Sequence, residues 1–318
     1  MFFLKLLRYL CKKIFPKSKF PFFSQKQPQF SGQKASDIIY NRLSQEKPCM
    51  ISRLGNSEFK CVSSYKIKND LFFRKYKKYI TGEIDALNYS DKIKLEIKNN
   101  AGFFPITENY LDKFCAQMLK DIKNIDILGS WLHIEENFKK ELKNTITVNL
   151  EDLNPYNHAN PWSKVLNGKK VLVIHPFVKS INKQYGKRKL LFTNEYILPK
   201  FDLITYKPVI SFAGNDINVK FDSWFEALEK MKTEISKINF DIALIGCGAY
   251  GLPLASFVKE IGKKSVHLGG ATQMLFGIKG KRWETEYDLD HLFNEFWTRP
   301  SLEEIPKNAN RVEKGCYW

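Results

Sequence analysis

Two groups of residues in this 318-residue chain have the types and spacing to do chemistry. The first lies in residues 241–283. There the apolar run Ile242–Ile245 leads into GCGAYG, which supplies Gly246, Gly248 and Gly251. A helical pattern follows, then a second β-type run at 265–268, and then Gly269 and Gly270. Glycines let a backbone approach a ligand closely, and a helix N-terminus favours an anionic group. Gln273 follows within the same block, and Lys279, Lys281 and Arg282 sit among further glycines. A cradle followed by a cationic loop suits a diphosphate. The same glycines would also serve tight strand–helix packing, and that alternative stays open. A dinucleotide fingerprint does not fit. It normally opens a fold and carries an acidic residue about 20 positions on, whereas here the second strand runs into His267-Leu268-Gly269-Gly270.

The second group is Arg53, Gly55, Asn56 and Glu58, placed after the short apolar run 49–52. A guanidinium, an amide and a carboxylate together suit a diphosphate or a divalent cation bridging it, because hard cations take oxygen ligands. A carboxylate in a first helical turn is also favoured by the helix dipole alone. His175 follows the run Lys170–Ile174 and precedes Pro176. It is a candidate general base or phosphate hydrogen-bond partner, with a structural histidine as the alternative. Trp131 also ends a strand-like run. Gln184, Tyr185 and Arg188 either line the same mouth or form a solvated helix face.

These residues need elements to position them. Runs at 49–52, 125–128, 145–150, 170–174, 203–206, 242–245 and 265–268 read as strands. Helical patterns read at 35–43, across much of 60–122 and at 222–238. Alternating strands and helices predict an α/β fold, Rossmann-like, with a largely parallel sheet flanked by helices. Ligands in such sheets bind beyond the carboxyl ends of the strands, where each candidate residue falls. We expect two regions: residues 1–32 as a basic amphipathic helix and linker, and 33–318 as one catalytic domain. The phosphate-binding βαβ unit lies within 161–285. The aromatic stretch 297–318 either folds over the cleft or completes the core.

The hydrophobic content of 43% and the absence of low-complexity tracts or repeats indicate a globular chain, and the formal net charge of +17 admits anionic partners. The six cysteines form no CxxC pair or zinc spacing, and the five histidines form no HxxxH pair. This fits a reducing compartment. In the first twenty residues, helical projection puts Phe3, Leu7, Leu10 and Ile14 on one face and Lys5, Arg8 and Lys12 on the other. Lys13, Lys17 and Lys19 add charge nearby. The apolar stretch is broken too early to span a bilayer and lacks a signal-peptide core. It reads as a helix lying in an anionic membrane interface, with packing on the main domain as the alternative.

The sequence Arg53-Leu54-Gly55-Asn56-Ser57-Glu58 resembles the RxGDxE signature of GT-D-type bacterial glycosyltransferases. The blocks PWSKVLNGKKVLVIHPF (161–177), GCGAYGLPLA (246–255) and HLGGATQMLFGIKGKRW (267–283) are similar to proteins of bacterial surface-polysaccharide gene clusters. The resemblance covers roughly residues 35–318. It implies a GT-D-like fold and transfer of a sugar from a nucleotide-diphosphate donor to a glycan or lipid-linked glycan acceptor. By the same resemblance Glu58 and Asn56 hold the donor and a divalent metal, Mg²⁺ or Mn²⁺. The expected location is cytoplasmic, peripheral on the inner face of the cell membrane. Asn56 stands where the family has its first acidic residue and brings a carbonyl without charge. More of the neutralisation then falls to Lys279, Lys281 and Arg282. The competing readings are a nucleic-acid-binding protein and an S-adenosylmethionine-dependent methyltransferase. The first lacks any recognisable module. The second lacks an early glycine turn with its following acid.

Overall fold

In the computed structural model, residues 2–14, 27–81, 84, 86–215 and 219–318 are described. Seven strands form one sheet: β1 (Cys49–Arg53), β2 (Ile127–Ser130), β3 (Ile146–Asn149), β4 (Lys170–Ile174), β5 (Asp202–Tyr206), β6 (Ile242–Ile245) and β7 (Lys264–His267). Their order is β3-β2-β1-β7-β6-β4-β5, and every pairing is parallel. With helices on both faces this is a Rossmann-like α/β fold. The predicted strands fall where the apolar runs placed them, shifted by a residue or two at their ends.

The central strands β4 and β6 are near-continuous apolar runs because both faces of the sheet are covered. Successive side chains of a strand point to opposite faces, and the two cores divide accordingly. Met50, Leu172, Ile174, Ala243 and Ile245 join one. Cys49, Ile51, Val171, Val173 and Leu244 join the other. The first core is closed by helices Asn56–Lys68, Glu108–Asp121, Trp224–Ile235 and Gly251–Glu260. Its centre is aromatic, with Trp224 stacked on Tyr250 at 5.1 Å and 9°. Helix Trp224–Ile235 begins at Ser223, whose hydroxyl accepts the Glu226 backbone N–H at 3.3 Å, a strong N-cap arrangement.

The register aligns the carboxyl ends of neighbouring strands. Ile174 pairs with Ile245, and Ile245 with His267. Strand β6, helix Gly251–Glu260 and β7 form the expected βαβ unit, with β6 and β7 adjacent and parallel. The loops after β1, β4, β6 and β7 therefore emerge side by side at one edge.

Most of the expected linker, residues 15–26, lies outside the described residues, as do the side chains of Lys12 and Ile14. The helix Phe2–Ile14 packs on the helix Phe72–Thr81. Arg8 lies 4.7 Å over the Tyr79 ring and donates to the Ile84 carbonyl at 2.6 Å. Arg8 is thus tied to the protein body, which differs from its sequence-based placement on a lipid-facing polar side. Among the described residues no helix is long and apolar enough to cross a membrane.

Trp224 is fully buried, and among the described residues its indole N–H has no hydrogen-bond partner. Trp224→Ala should lower unfolding free energy by about 3–5 kcal/mol, measured by denaturant unfolding. Trp224→Phe should cost clearly less, because it removes no hydrogen bond and keeps an aromatic face against Tyr250.

Candidate functional site

The loops at the carboxyl edge enclose a cavity of about 370 Å³. Arg53, the last residue of β1, points into it with its guanidinium 4.8 Å over the Trp131 ring. Trp131 is held by its indole N–H, which donates to the Leu54 carbonyl at 2.9 Å. Arg53 gains room from Gly269 (φ +63°), where an added Cβ would sit 3.2 Å from the arginine Cδ. Among the described residues, Arg53 has no ion pair with a carboxylate, so its charge faces the cavity.

Gly55 caps helix Asn56–Lys68 in an extended conformation, and the Glu58 carboxylate folds back over it. A Cβ at Gly55 would overlap that carboxylate. Desolvation raises the Glu58 pKa above the ordinary carboxylate range, partly offset by its own backbone N–H and by Arg53. Asn56 and Glu58 both border the cavity. Among the described residues no group of three or more His, Cys, Asp or Glu side chains gathers to hold a metal. Glu58 and Asn56 supply one charged and one neutral donor, too few for a resident metal centre of protein ligands.

His175 borders the cavity but is 3% exposed, and burial drives its pKa down to about 3. Its Nδ1 accepts the Phe177 backbone N–H at 3.0 Å, which leaves the proton on Nε2. At neutral pH this ring is a neutral donor. A group this hard to protonate does not suit the general-base role considered from sequence.

Each glycine of the turn is closely packed. An added Cβ would overlap the Gly269 carbonyl at Gly246 and the His267 ring at Gly251. At Gly248 (φ +58°) it would come within 2.8 Å of the Ala101 carbonyl. All three are glycines because protein atoms occupy the space. Gly246 and Gly248 still border the cavity, whereas Gly251 lies behind it. Gly270 borders the cavity too, and its missing side chain makes room for the Tyr317 ring.

The cationic loop also divides. Arg282 borders the cavity, stacked 5.1 Å over Tyr317 and ion-paired with Glu313. Lys279 pairs with Glu284 at 3.4 Å, and Lys281 is exposed away from the cavity. The backbone N–H groups of Lys281 and Arg282 donate to the carbonyls of Trp318 and Cys316 at 3.3 and 3.0 Å. These two N–H groups tie the C-terminal residues to the loop. Gln273 borders the cavity and donates to the Tyr317 carbonyl at 3.1 Å, while its own side-chain oxygen is buried without a partner among the described residues.

Gln184 is buried and donates to the carbonyls of Gly277 and Phe296. Tyr185 donates to the Phe201 carbonyl at 2.8 Å, and Arg188 stacks on Tyr185. These side chains hold loops together and do not line the cavity. Trp297 completes the core against Phe192 and Phe293. Tyr317 and Trp318 fold over the cleft, so both alternatives for the 297–318 stretch are realised, at different residues. Sequence reasoning missed Glu313. The left-handed turn Glu313, Lys314, Gly315 (φ 44°, 61° and 79°) aims the aromatic pair inward. Gly315 was its one visible signal.

No protein-family model matches this chain, and no curated protein matches it. The selenomethionine-substituted structure of a domain of unknown function, DUF1792, aligns over 93% of this chain and 96% of that chain. Its TM-score is 0.37 and its sequence identity 10%.

The packing role of Gly251 is testable. Gly251→Ala should cost about 1–3 kcal/mol of stability by overpacking against His267, read as a lower denaturation midpoint. The buried histidines set a pH dependence. His267 is also driven down to about 3, chiefly by desolvation, with the Arg53 charge adding to it. A histidine with a depressed folded pKa takes up protons mainly on unfolding. Its stabilising contribution is complete above about pH 6.5 and is lost as pH falls toward 3, at about 1.4 kcal/mol per pH unit per histidine. Unfolding free energies measured from pH 7 to 4 should show this loss, with a shallower slope in His175→Gln.

Proposed function

We propose that the chain is a glycosyltransferase that binds a nucleoside-diphosphate sugar in the cavity at the carboxyl edge of the sheet. Its acceptor is a glycan or lipid-linked glycan of bacterial surface polysaccharide, presented at the inner face of the cell membrane. The observation that carries this reading is Arg53, a guanidinium free of carboxylate ion pairs among the described residues and fixed over Trp131 at the cavity wall. Its planar fork matches phosphate oxygens. The resemblance of residues 53–58 to the RxGDxE signature supports the same assignment.

Transfer forms a bond between the acceptor oxygen and the sugar's anomeric carbon and breaks the bond from that carbon to the diphosphate. The diphosphate leaves with the electron pair. The main demand is electrostatic stabilisation of that leaving group, which we assign to Arg53 and Arg282, with the His175 Nε2–H as a neutral donor. The acceptor hydroxyl must also lose a proton. A carboxylate with a raised pKa is a better base than an ordinary one, and Glu58 is that carboxylate. Trp131, Phe177 and Tyr317 offer flat surfaces to a base or sugar ring. A divalent ion, if it enters with the donor, adds charge neutralisation at the phosphates. Glu58 and Asn56 are the side chains that would face it.

A nucleoside diphosphate should raise the melting temperature by linkage, about 2.7 kcal/mol of stabilisation at a hundredfold excess over Kd. The parent nucleoside, RNA and S-adenosylmethionine should have little effect. Equal stabilisation by nucleoside and diphosphate would overturn the assignment. Arg53→Ala should weaken diphosphate binding by roughly 10- to 100-fold, the worth of a lost charge-assisted contact. Diphosphate binding should persist in EDTA, measured by calorimetry. Glu58→Gln should leave the melting temperature near the parent value and diphosphate binding intact, yet reduce sugar transfer by about 100-fold or more. Transfer within a few-fold of the parent would return Glu58 to a helix-end role.

A further inference from the structure

Of the apolar face that projection assigned to lipid, Phe3 and Leu10 are exposed on the helix Phe2–Ile14, whereas Leu7 turns toward the protein. Leu4, Leu7, Arg8 and Cys11 are half-buried, on one side of the helix, and Arg8 reaches Tyr79 of the helix Phe72–Thr81. Phe3, Leu6, Tyr9 and Leu10 remain exposed, Phe3 to 67% and Tyr9 to 63%. The partner helix repeats the pattern at its start. Leu71 and Phe72 are exposed to 68% and 66% and Phe73 to 85%. Phe72 touches both Phe73 and Tyr76, at ring centroid distances of 5.6 and 4.4 Å. Two packed helices thus each leave large apolar side chains in water, a burden that soluble surfaces seldom carry without a partner.

Their charge indicates which partner. Neither helix contains an acidic residue, and between them they carry Lys5, Arg8, Lys12 and Lys13, then Arg74, Lys75, Lys77 and Lys78. Lys5, Lys13, Arg74 and Lys77 are exposed. The nearby Asp70 pairs with Lys78 at 3.1 Å and Arg74 at 3.6 Å, which leaves Lys5, Lys13 and Lys77 as exposed cations on this surface. A second copy of this chain docking on the same face would set cation against cation, which disfavours association. Apolar side chains interspersed with cations match the interface of a bilayer bearing anionic lipid.

We infer that these two helices form one composite membrane-docking surface, in which Leu71, Phe72 and Phe73 insert into anionic lipid beside the exposed side chains of the Phe2–Ile14 helix. This deepens the membrane part of the proposed function and does not depend on the chemistry assigned to the cavity. The docking surface is built by tertiary packing, so lipid affinity is not a property of the first helix alone.

The test is binding of the full-length protein to phosphatidylglycerol-containing vesicles by co-sedimentation. Phe72→Ser/Phe73→Ser should reduce partitioning by about tenfold or more while melting temperature and nucleoside-diphosphate binding stay at parental values. Phe73→Ser alone, at the most exposed of these aromatics, should show a smaller loss and serves if the double variant is unstable. Leu302→Ser, at an exposed leucine away from these helices (88% exposed), should change nothing. Parental binding should fall sharply between about 0.1 M and 1 M salt, as the screening length shrinks from about 10 to about 3 Å. Vesicle binding by the Phe72/Phe73 variants within twofold of the parent would overturn the proposal. So would a parental dimer that these variants convert to monomer without loss of vesicle binding, because the occupant would then be a second copy. Loss of diphosphate binding with intact vesicle binding would count against the cavity assignment and leave the docking surface standing.

Discussion

The carboxyl ends of β6 and β7 approach so closely that no side chain fits between them. Gly246 lies against the carbonyl of Gly269, and the Thr272 hydroxyl sits between the two loops, within hydrogen-bond reach of the carbonyls of Ile245 and Gly269 at 3.2 and 2.8 Å. This contact fixes the floor of the cavity. It lets the His175 ring close in from β4, where a Cβ at Gly246 would come within 3.0 Å of its Cδ2. It also sets Gly269 in the left-handed conformation that makes room for Arg53 from β1. Four strands in adjacent register deliver their loops to one edge, and the glycine contact turns that edge into a wall of defined shape.

Electrostatics within the wall are governed by desolvation more than by the number of charges. The chain carries a large positive excess, yet its lysines near the site are exposed or already paired, as Lys279 with Glu284. Arg53 and Arg282 are the cations that reach the cavity in the 53–58 and 279–282 groups, and both lie over aromatic rings. Arginine suits such a place because its charge is delocalised and weakly hydrated. Burial keeps His175 in its neutral form and raises the Glu58 pKa, so that the ionised Glu58 carboxylate holds a proton more strongly than an ordinary one. The two ionisable groups are thereby assigned different work, a donor and a proton acceptor.

Two segments distant in sequence finish the molecule by packing on what the sheet has already placed. Residues 313–318 turn through three left-handed positions and lay Tyr317 across Gly270 and Gly280. Glu313 reaches Arg282 from this turn, so an anion entering the cavity meets a guanidinium that already has an internal carboxylate partner. At the other end of the chain, the helix Phe2–Ile14 borrows Tyr79 and Ile84 as its seat. In both cases the partner surface is assembled from residues far away along the chain.

The sequence by itself determined the class of fold, the strands and the edge at which ligands would sit. Those follow from local rules: an apolar run such as Lys170–Ile174 has a period and a length, and a parallel sheet places its loops at strand ends. Arg53, Asn56, Glu58, His175 and Arg282 were legible as strand-end or loop residues for the same reason. What the glycines were for was not legible. A missing Cβ leaves identical traces in a sequence whether a phosphate or a histidine ring fills the space, and only three-dimensional placement showed His267 behind Gly251 and Tyr317 against Gly270. The protonation state of His175, the pairing of Lys279 and the face that the first helix presents were likewise decided by tertiary structure. The first depends on burial, the second on which carboxylate the loop brings to the lysine, and the third on the helix Phe72–Thr81, far along the chain, and none of these is encoded in the local pattern.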